Sequence, residues 1–501
     1  MPDSAPAAIL SLSDTTGAAA LAQAVQRGGV DIYATGGTKA FLERNGIAAR
    51  GVAELTGHAA LFGGLVKTLH PKIFGGILYD RDASEQREEA EKHGIVPVAV
   101  VAVTLYPPPE IDIGGVALLR AAAKNYAHVT VLCDPSQYGE FVAALEHGGP
   151  SREQRERFAI AALAHTAAYD ARNVQRLEGE ADTLPDRLAL FTPRAQALRY
   201  GENPQERAAF YSESSAMVPE QLHGKALSYN NLLDLDATLR LLSRSPLARR
   251  DGDDAVRAVV VKHTVPCGAA QRARAADAAR EALDADRISA YGGIVAVDAR
   301  LDREAAEALV GVFLEIVAAP EFADDALAVL RRKRSLRVMR FARTLPGALQ
   351  SERRLRSALG GILVEEPDPH AEPERLRTVS RREPTEAERR DLIFAWDVVR
   401  HVKSNGIVIA RDNVTHGICA GQTNRVSAVE IAASRAGENA RGAACASDGF
   451  FPFADGIEAA IAAGCRAVVA PGGSIRDEEV IAAADRAGIA LLFSSHRHFL
   501  H

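Results

Sequence analysis

The chain has 501 residues, more than one ordinary core accommodates, so at least two domains are expected. Apolar residues make up 47% and charged residues 25%, the balance of a soluble globular protein, and a net charge of −6 argues against nucleic-acid binding, which favours a basic domain. No apolar run approaches the roughly 18 residues of a membrane span; "MPDSAPAAILSLSD" lacks the segments of a signal peptide; five scattered cysteines without a C-x-x-C pair fit a reducing cytoplasm.

In chain order, "AAILSLSD" predicts a strand, "TGAAALAQAVQRGG" a helix ending in glycine, "VDIYATGG" a strand and "TKAFLERNG" a helix. "VPVAVVAVTLY" predicts a strand, "VALLRAAAKN" a helix and "HVTVLCD" a strand, and a long helix over 151–178 closes the series. Strands alternating with helices predict a parallel sheet covered on both faces. "GEADTLPDRLALFTPRAQ", with Pro185 and Pro193, is expected to be a linker. Beyond it, "AVRAVVVKH" and "GGIVAVD" are expected strands around the helix "QRARAADAAREAL"; "GIVIARD" and "RAVVAPGG" are further strands. Strand, turn, helix and strand thus recur near 255–298 and 406–446, a hint of two similar lobes. The basic run "RRKRSLRVMRFAR" is expected to be a solvated connector between them.

Three constellations bear on chemistry. In "VVVKHTVPCGAA" an apolar run ends on Lys262 and His263, and Pro266, Cys267 and Gly268 follow. Zinc deaminases combine H-x-E with P-C-x-x-C. Here Thr264 and Val265 follow the histidine and position 270 is Ala270, so both halves fail. Cys267 reads as a small residue in a tight turn. A histidine titrates near neutrality, and an adjacent lysine favours its neutral, proton-accepting form. A satisfied histidine at a strand end explains the same residues equally well.

The second constellation is "YATGGTKAF", where a strand runs into Thr35-Gly36-Gly37-Thr38 and a helix. Free amides and a positive dipole end there suit a phosphate. Lys67, Thr68 and His70 of "LVKTLHPKIFGG", with Tyr106, Asp112, Lys124 and Asn125, add more polar groups than packing requires. The third comprises "ALRYGENP", "LSYNNLLDLDA", "SAYGGIVA", "HVKSNGIV", "AGQTNRVSA", "ASDGFFPFADG" and "PGGSIRDEE"; singly, each reads as turn chemistry.

Together and in order, these segments resemble one family over nearly the whole chain. "SDTTG", "ATGGT", "VKTLHPKIFGGIL", "IDIGG", "LLRAAAKN" and "HTAAYD" are followed by "RYGENP", "LSYNN", "VKHTVPCG", "SAYGGI", "VKSNGIV", "AGQTNRV", "SDGFFPF", "PGGSIRD" and "RHFLH". The family is the bifunctional purine-biosynthesis protein with AICAR formyltransferase and IMP cyclohydrolase activities. The resemblance implies an α/β fold: a methylglyoxal-synthase-like parallel-sheet cyclohydrolase domain over residues 1–190, and two cytidine-deaminase-like lobes without zinc over residues 191–501. It also implies a cytoplasmic homodimer with the formyltransferase site at the subunit interface. The small-molecule partners are AICAR, its formylated product and IMP, with 10-formyltetrahydrofolate as co-substrate and no metal required for catalysis.

By the same resemblance, His263 acts as general base, Lys262 assists it, and Asn405 donates to the formyl oxygen. Arg199, Tyr200, Asn231, Arg425, Phe450, Asp455 and Arg497 match positions that hold AICAR; an arginine fork suits its phosphate. For ring closure, Lys67, Tyr106, Asp112 and Lys124 match the cyclohydrolase pocket, and Ser11, Ser13, Thr35, Gly36, Gly37, Thr38 and Thr68 its substrate-binding side.

The chain also departs from the family. The family usually has lysine at Thr15, arginine at Leu65 and asparagine at Thr104, and its segment after Tyr106 is longer; Gln205 and Ala454 replace a usual histidine and arginine. The N-terminal changes predict weaker substrate binding in the cyclohydrolase. The alternative is a formyltransferase carrying an inactive N-terminal domain. A zinc-free deaminase-like enzyme on another nucleotide and a non-enzymatic nucleotide-binding regulator are the rival classes.

Overall fold

In the computed structural model, described for residues 5–179, 184–212, 218–245, 255–368 and 376–501, the chain divides into two compact units, Met1–Thr192 and Pro193–His501. The first unit begins with β1 (Ala7–Leu12), α1 (Ala18–Arg27), β2 (Asp31–Ala34), α2 (Gly36–Arg44), β3 (Arg50–Gly51) and α3 (Val52–Thr56). It continues with α4 (Pro71–Leu78), α5 (Ser84–Lys92), β4 (Val98–Thr104), α6 (Gly114–Lys124), β5 (Thr130–Leu132), α7 (Tyr138–Leu145) and α8 (Arg152–Glu178).

The five strands form a sheet in the order β3-β2-β1-β4-β5, and every neighbouring pair is parallel. The central strands are almost wholly apolar, as strands covered on both faces must be; Ile9, Leu10, Val101 and Val103 are fully buried. Helix α8 matches the helix expected over 151–178 and starts at a reciprocal cap between Ser151 and Gln154. Because the strands are parallel, their carboxyl ends share one edge, the place where open α/β sheets bind ligands.

The second unit opens with the ribbon β6 (Arg194–Ala197) and β7 (Ala209–Tyr211), then β8 (Glu220–His223) and α9 (Tyr229–Leu242). A first lobe follows: β9 (Val256–Lys262), β10 (Val265–Arg272), α10 (Ala275–Asp284), β11 (Ile294–Val297), β12 (Arg300–Leu301), α11 (Arg303–Leu309), β13 (Ile316–Ala319), β14 (Glu321–Phe322), α12 (Asp324–Leu330) and β15 (Arg337–Arg340). Helix α13 (Leu345–Gln350), the hairpin β16 (Arg354–Ala358) and β17 (Gly361–Glu365), and β18 (Arg377–Thr378) lead to the second lobe. That lobe holds α14 (Glu386–Val399), β19 (Ile407–Arg411), β20 (Val414–Cys419), α15 (Arg425–Ala436), β21 (Ala444–Ser447), α16 (Asp455–Ala462), β22 (Ala467–Pro471), α17 (Asp477–Ala487) and β23 (Ala490–Ser494).

Both lobes share one 12-stranded sheet, ordered β18-β23-β22-β21-β19-β20-β10-β9-β11-β13-β15-β8. The order mirrors itself about the β20–β10 joint: each half runs as an antiparallel hairpin, a third antiparallel strand, two parallel strands and an antiparallel edge. The two lobes hinted at by the sequence are therefore a duplicated topology. Gly268 of β10 and Gly417 of β20 repeat one close approach. A Cβ on either would lie 2.0 Å from a helix carbonyl, Ala282 O in α10 or Ala432 O in α15. The joint itself is narrow, with one pairing, Ala270 with Val414.

One face of this sheet carries a single core spanning both lobes, built from Val259, Val261, Val408 and Val469 against α9 and α14. On the other face each lobe keeps its own core, under α10–α12 or under α15–α17. Three expectations are corrected here. The basic run 331–343 is no connector: it contains β15, where Val338 and Met339 are fully buried and Arg337 pairs with Glu315 at 2.6 Å. Its charges sit on the exposed Arg331–Arg334 stretch and hide a short strand. The expected linker is shorter, since Arg194–Ala197 is β6, and residues 180–183 lie outside the described residues. Cys267 lies within β10, not in a turn.

Candidate active sites

In the first unit, the predicted residues other than Lys124 gather at the carboxyl edge of the sheet. Thr35 caps α2 at the end of β2, and its hydroxyl donates to Ser11 at 3.3 Å. The Thr38 hydroxyl accepts from the Leu12 N–H at 2.8 Å, tying the first turn of α2 to β1. Gly36 and Gly37 open α2 between these threonines, and no atom stands within 4 Å of where a Cβ would be on either. Ser13 donates to the carbonyls of Thr104 and Leu105 at 3.0 and 2.8 Å. Thr104, at one departure from the family, accepts from the Asp14 N–H at 2.9 Å.

A second cluster forms at the N-terminus of α6. Lys67 Nζ lies 3.3 Å from the Tyr106 hydroxyl. Asp112 accepts from the Gly115 N–H at 2.6 Å, and a Cβ on Gly115 would lie 2.6 Å from Asp112 Oδ2, so the glycine lets the carboxylate sit over the helix start. The Asp112 N–H donates to the Tyr169 hydroxyl at 2.8 Å, which anchors the loop to α8. Thr68 is buried next to Gly114. His70, which caps α4, stacks 5.1 Å from His58, and burial, then His58 and Lys72, push its imidazole pKa down. Lys124 is not drawn into this cluster by any hydrogen bond: it ends α6, roughly 15 Å along the axis from the helix start. Leu65 projects 83% exposed beside Phe62 at 77%. Lys39 faces Glu43 and Glu54 at 3.7 and 3.9 Å.

In the second unit, β9 ends on Lys262, and the hairpin to β10 is His263-Thr264, both left-handed with φ of 55° and 61°. Asp234 of α9 braces it: Oδ2 accepts from the His263 N–H at 3.1 Å and Oδ1 from the Thr264 N–H at 2.7 Å. The His263 side chain is exposed, and Lys262 Nζ donates to the Tyr291 carbonyl at 2.7 Å. A cavity of about 720 Å³ opens beside the joint, lined by Lys262, His263, Pro266 and Cys267 on one side and by His416, Gly417 and Arg435 on the other. Burial, then Asp286, pushes the Cys267 thiol up to about 12, which makes it a poor nucleophile. Neither His263 nor Cys267 belongs to a group close enough to hold a metal among the described residues; the group that does occur is Asp80, Asp82 and His128 in the first unit.

Arg199, Tyr200 and Asn231 attach to the same helix. The Tyr229 N–H donates to the Tyr200 carbonyl at 3.2 Å, and the Arg199 guanidinium stacks 4.9 Å from the Tyr200 ring. Asn231 is buried and serves the α9 cap with Ser228. A second network surrounds Arg425, the first residue of α15. Its buried guanidinium donates to Ser447 at 2.7 Å, to Asp448, and to Asn405 Oδ1. The Asn405 amide nitrogen donates to the Gln422 carbonyl at 2.8 Å and keeps one N–H for another acceptor. The 497–501 segment joins this network: the His498 N–H donates to the Asp448 carbonyl at 3.0 Å, and Arg497 stacks 4.5 Å from Phe499. Phe450 is exposed, and Asp455, the first residue of α16, accepts from the Gly456 N–H at 2.7 Å. Among the described residues no hydrogen bond links the His263 group to the Arg425 group. Asp234 was missed in sequence; the acidic pattern "LLDLDA" on a helix reads as solvated surface.

A strand-end site on a parallel sheet, joined in sequence to a duplicated mixed-sheet unit with a cavity beside its joint, defines a two-site α/β enzyme. A model described as "MGS-like domain" matches residues 17–129, and one described as "AICARFT/IMPCHase bienzyme" matches residues 122–435. The chain belongs to the AICARFT/IMPCHase bienzyme family. It is 46% identical over 99% of its length, and 98% of the relative's, to the bifunctional purine biosynthesis protein PurH of Chloroflexus aurantiacus. The corresponding proteins of Synechococcus elongatus and Bacillus subtilis are 44% and 41% identical over 99% of each chain. A solved structure titled "Crystal structure of ForH" is 35% identical, covers 35% of this chain and 100% of its own, and has a TM-score of 0.33.

Proposed function

We propose that this protein carries out two consecutive steps of IMP synthesis: formyl transfer from 10-formyltetrahydrofolate to the 5-amino group of AICAR, then dehydrative closure of the product to IMP. The observation that carries this reading is 41–46% identity to bifunctional PurH proteins over essentially the full length of both chains.

In the first step the AICAR nitrogen bonds the formyl carbon, the bond from that carbon to folate N10 breaks, and N10 gains a proton. The amine is a poor nucleophile because its electrons are delocalised into the imidazole ring, so its proton must leave as it attacks. His263, exposed on a braced hairpin beside the cavity, is assigned as acceptor, with Lys262 next to it. Asn405, whose amide is oriented by Arg425 and Gln422, is assigned to the developing formyl oxyanion. Arg199, Tyr200, Phe450, Asp455 and Arg497 are assigned to AICAR. Arg425 already spends three donors on protein acceptors, and Asn231 serves a helix cap, which favours orienting roles for both. The homodimer that the family resemblance implies, with the formyltransferase site at the subunit interface, is part of this reading.

In the second step the carboxamide nitrogen attacks the formyl carbon of the same molecule and water leaves; being intramolecular, it needs mainly folding of the substrate and charge stabilisation. Lys67, Tyr106 and Asp112 are assigned to that site, and Ser11, Ser13, Thr35 to Thr38 and Thr68 to the substrate's polar and phosphate side. Lys124 joins them on the family resemblance alone. No helix among the described residues is long and apolar enough to cross a membrane. The test is incubation of the purified protein with AICAR and 10-formyltetrahydrofolate, with chromatographic separation of the formylated intermediate from IMP. IMP is expected. Accumulation of the intermediate would leave a formyltransferase only, and no folate-dependent consumption of AICAR would sink the reading.

A further inference from the structure

The duplicated sheet places two hairpins in equivalent positions. In the first lobe the turn is His263-Thr264, with φ of 55° and 61°; in the second it is Asp412-Asn413, with φ of 54° at both. Left-handed turn positions suit Asn, Asp and Gly, and a β-branched residue there is a genuine outlier. The second lobe uses residues that fit. The first lobe uses His263, which tolerates this region, and the β-branched Thr264, which does not, at the point where the proposed base must stand.

Each hairpin is braced in the same way. Asp391 of α14 accepts from the Asn413 N–H at 2.9 Å. Asp234 of α9 takes both N–H groups of its turn, at 3.1 and 2.7 Å. Burial pushes both carboxylates up, and the turn's N–H groups pull both down. Two bonds from one carboxylate to adjacent left-handed residues leave the backbone beneath His263 little freedom, and strained backbone persists only where its surroundings over-determine it. We propose that Asp234 is a positioning residue for formyl transfer: it holds the His263-Thr264 turn in its left-handed form and so aims the imidazole at the cavity. This rests on the reading that His263 is the proton acceptor.

The second lobe supplies the control, because Asp391 braces a turn with no assigned chemistry. Asp234→Asn and Asp391→Asn are compared by urea midpoint and by steady-state formyl transfer, with His263→Ala alongside. Both carboxamide variants are expected to lower the midpoint by similar amounts. Asp234→Asn is expected to lower kcat at least tenfold with the AICAR KM within about twofold; Asp391→Asn is expected to keep kcat. In the His263→Ala background, Asp234→Asn should have little further effect, since it acts through the imidazole. If Asp234→Asn does not fold, it is measured in a Thr264→Asn background, which gives the first turn the second lobe's residue and relieves the strain. Unchanged kcat in Asp234→Asn, an equal loss in Asp391→Asn, or an undiminished effect without His263 overturns the proposal. Near-wild-type turnover in His263→Ala alone would instead overturn the assignment of the base.

Discussion

Arg257 and Asp397 form an ion pair sealed from solvent, 1% and 2% exposed, with Nη1 and Oδ2 2.5 Å apart. Arg257 belongs to β9, the strand that ends on Lys262, and Asp397 to α14 of the other lobe. The guanidinium also stacks 5.6 Å from the Phe394 ring, and the Ser245 N–H donates to the second carboxylate oxygen at 3.0 Å. Removing one partner strands a buried charge, which costs about 3–5 kcal/mol, whereas replacing both with apolar residues of similar volume costs far less. Arg257→Met and Asp397→Leu should therefore each lower the urea midpoint strongly, and the double variant should recover most of the loss. Burial alone would raise the Asp397 carboxyl; Arg257 outweighs it and holds the group at about 2. A depressed folded value stabilises above the unfolded value and is lost as pH falls through the folded one. The advantage of wild type over the double variant should thus shrink between about pH 4 and pH 2, read from urea midpoints across that range.

His263→Ala should lose at least about a hundredfold in formyl transfer, in line with general-base contributions of roughly 10² to 10⁴. The side chain is exposed, so the urea midpoint should stay near wild type. Ring closure, assayed with the formylated intermediate, should be unaffected.

Cys267 should behave as a structural thiol. With its pKa pushed up to about 12 by burial, it stays protonated at neutral pH and should alkylate far more slowly than a free thiol. Cys267→Ala should retain formyl transfer within about twofold. Rapid labelling of this cysteine, identified by peptide mass, would contradict the packing described.

The departures at Thr15 and Leu65 should appear as affinity and not as chemistry. Leu65 projects into solvent beside the Lys67–Tyr106 pair, so a longer polar side chain there meets no steric barrier. A hydrogen bond to a charged group contributes roughly 1.5–3 kcal/mol, or about tenfold or more in binding. Thr15→Lys and Leu65→Arg together should lower KM for the formylated intermediate with kcat little changed. A wild-type KM already unimproved by either substitution would mean that other residues hold the substrate.

Residues 1–192 should fold alone, because their sheet and core are complete within that unit. The fragment should close the ring and transfer no formyl group. Circular dichroism of an unfolded chain would place the boundary elsewhere.

The legible parts of the sequence were those where local chemistry and tertiary environment agree. β1 and β4 are buried on both faces and read as almost wholly apolar runs. The Asp412-Asn413 turn carries the residues that a left-handed hairpin wants; Thr264 in the first turn does not, so the local sequence does not announce that conformation. β15 was hidden because Arg337 is neutralised by Glu315, a partner 22 residues away. Asp234 was hidden because a helical acid reaching a turn 29 residues later looks like any surface carboxylate. The candidate site was readable as a set of motifs, while its grouping depended on distances: Lys124 shares a helix with the Asp112 cluster yet stands at its far end.

The core shared by both lobes has a consequence for how the second unit is made. Each lobe can cover one face of its half-sheet with its own helices, while on the other face α9 over the first half and α14 over the second pack into one core that needs both halves to close. The narrow joint links groups 146 residues apart, Ala269 and Thr415, so it is among the last contacts that chain entropy allows to close. Until then that shared core is open along the joint, and its apolar residues invite a neighbouring chain. Separate synthesis of one lobe should yield aggregates, and wild-type chains should refold best when dilute, because the lobe that completes each surface is tethered to the same polypeptide and competes with strangers only at high concentration.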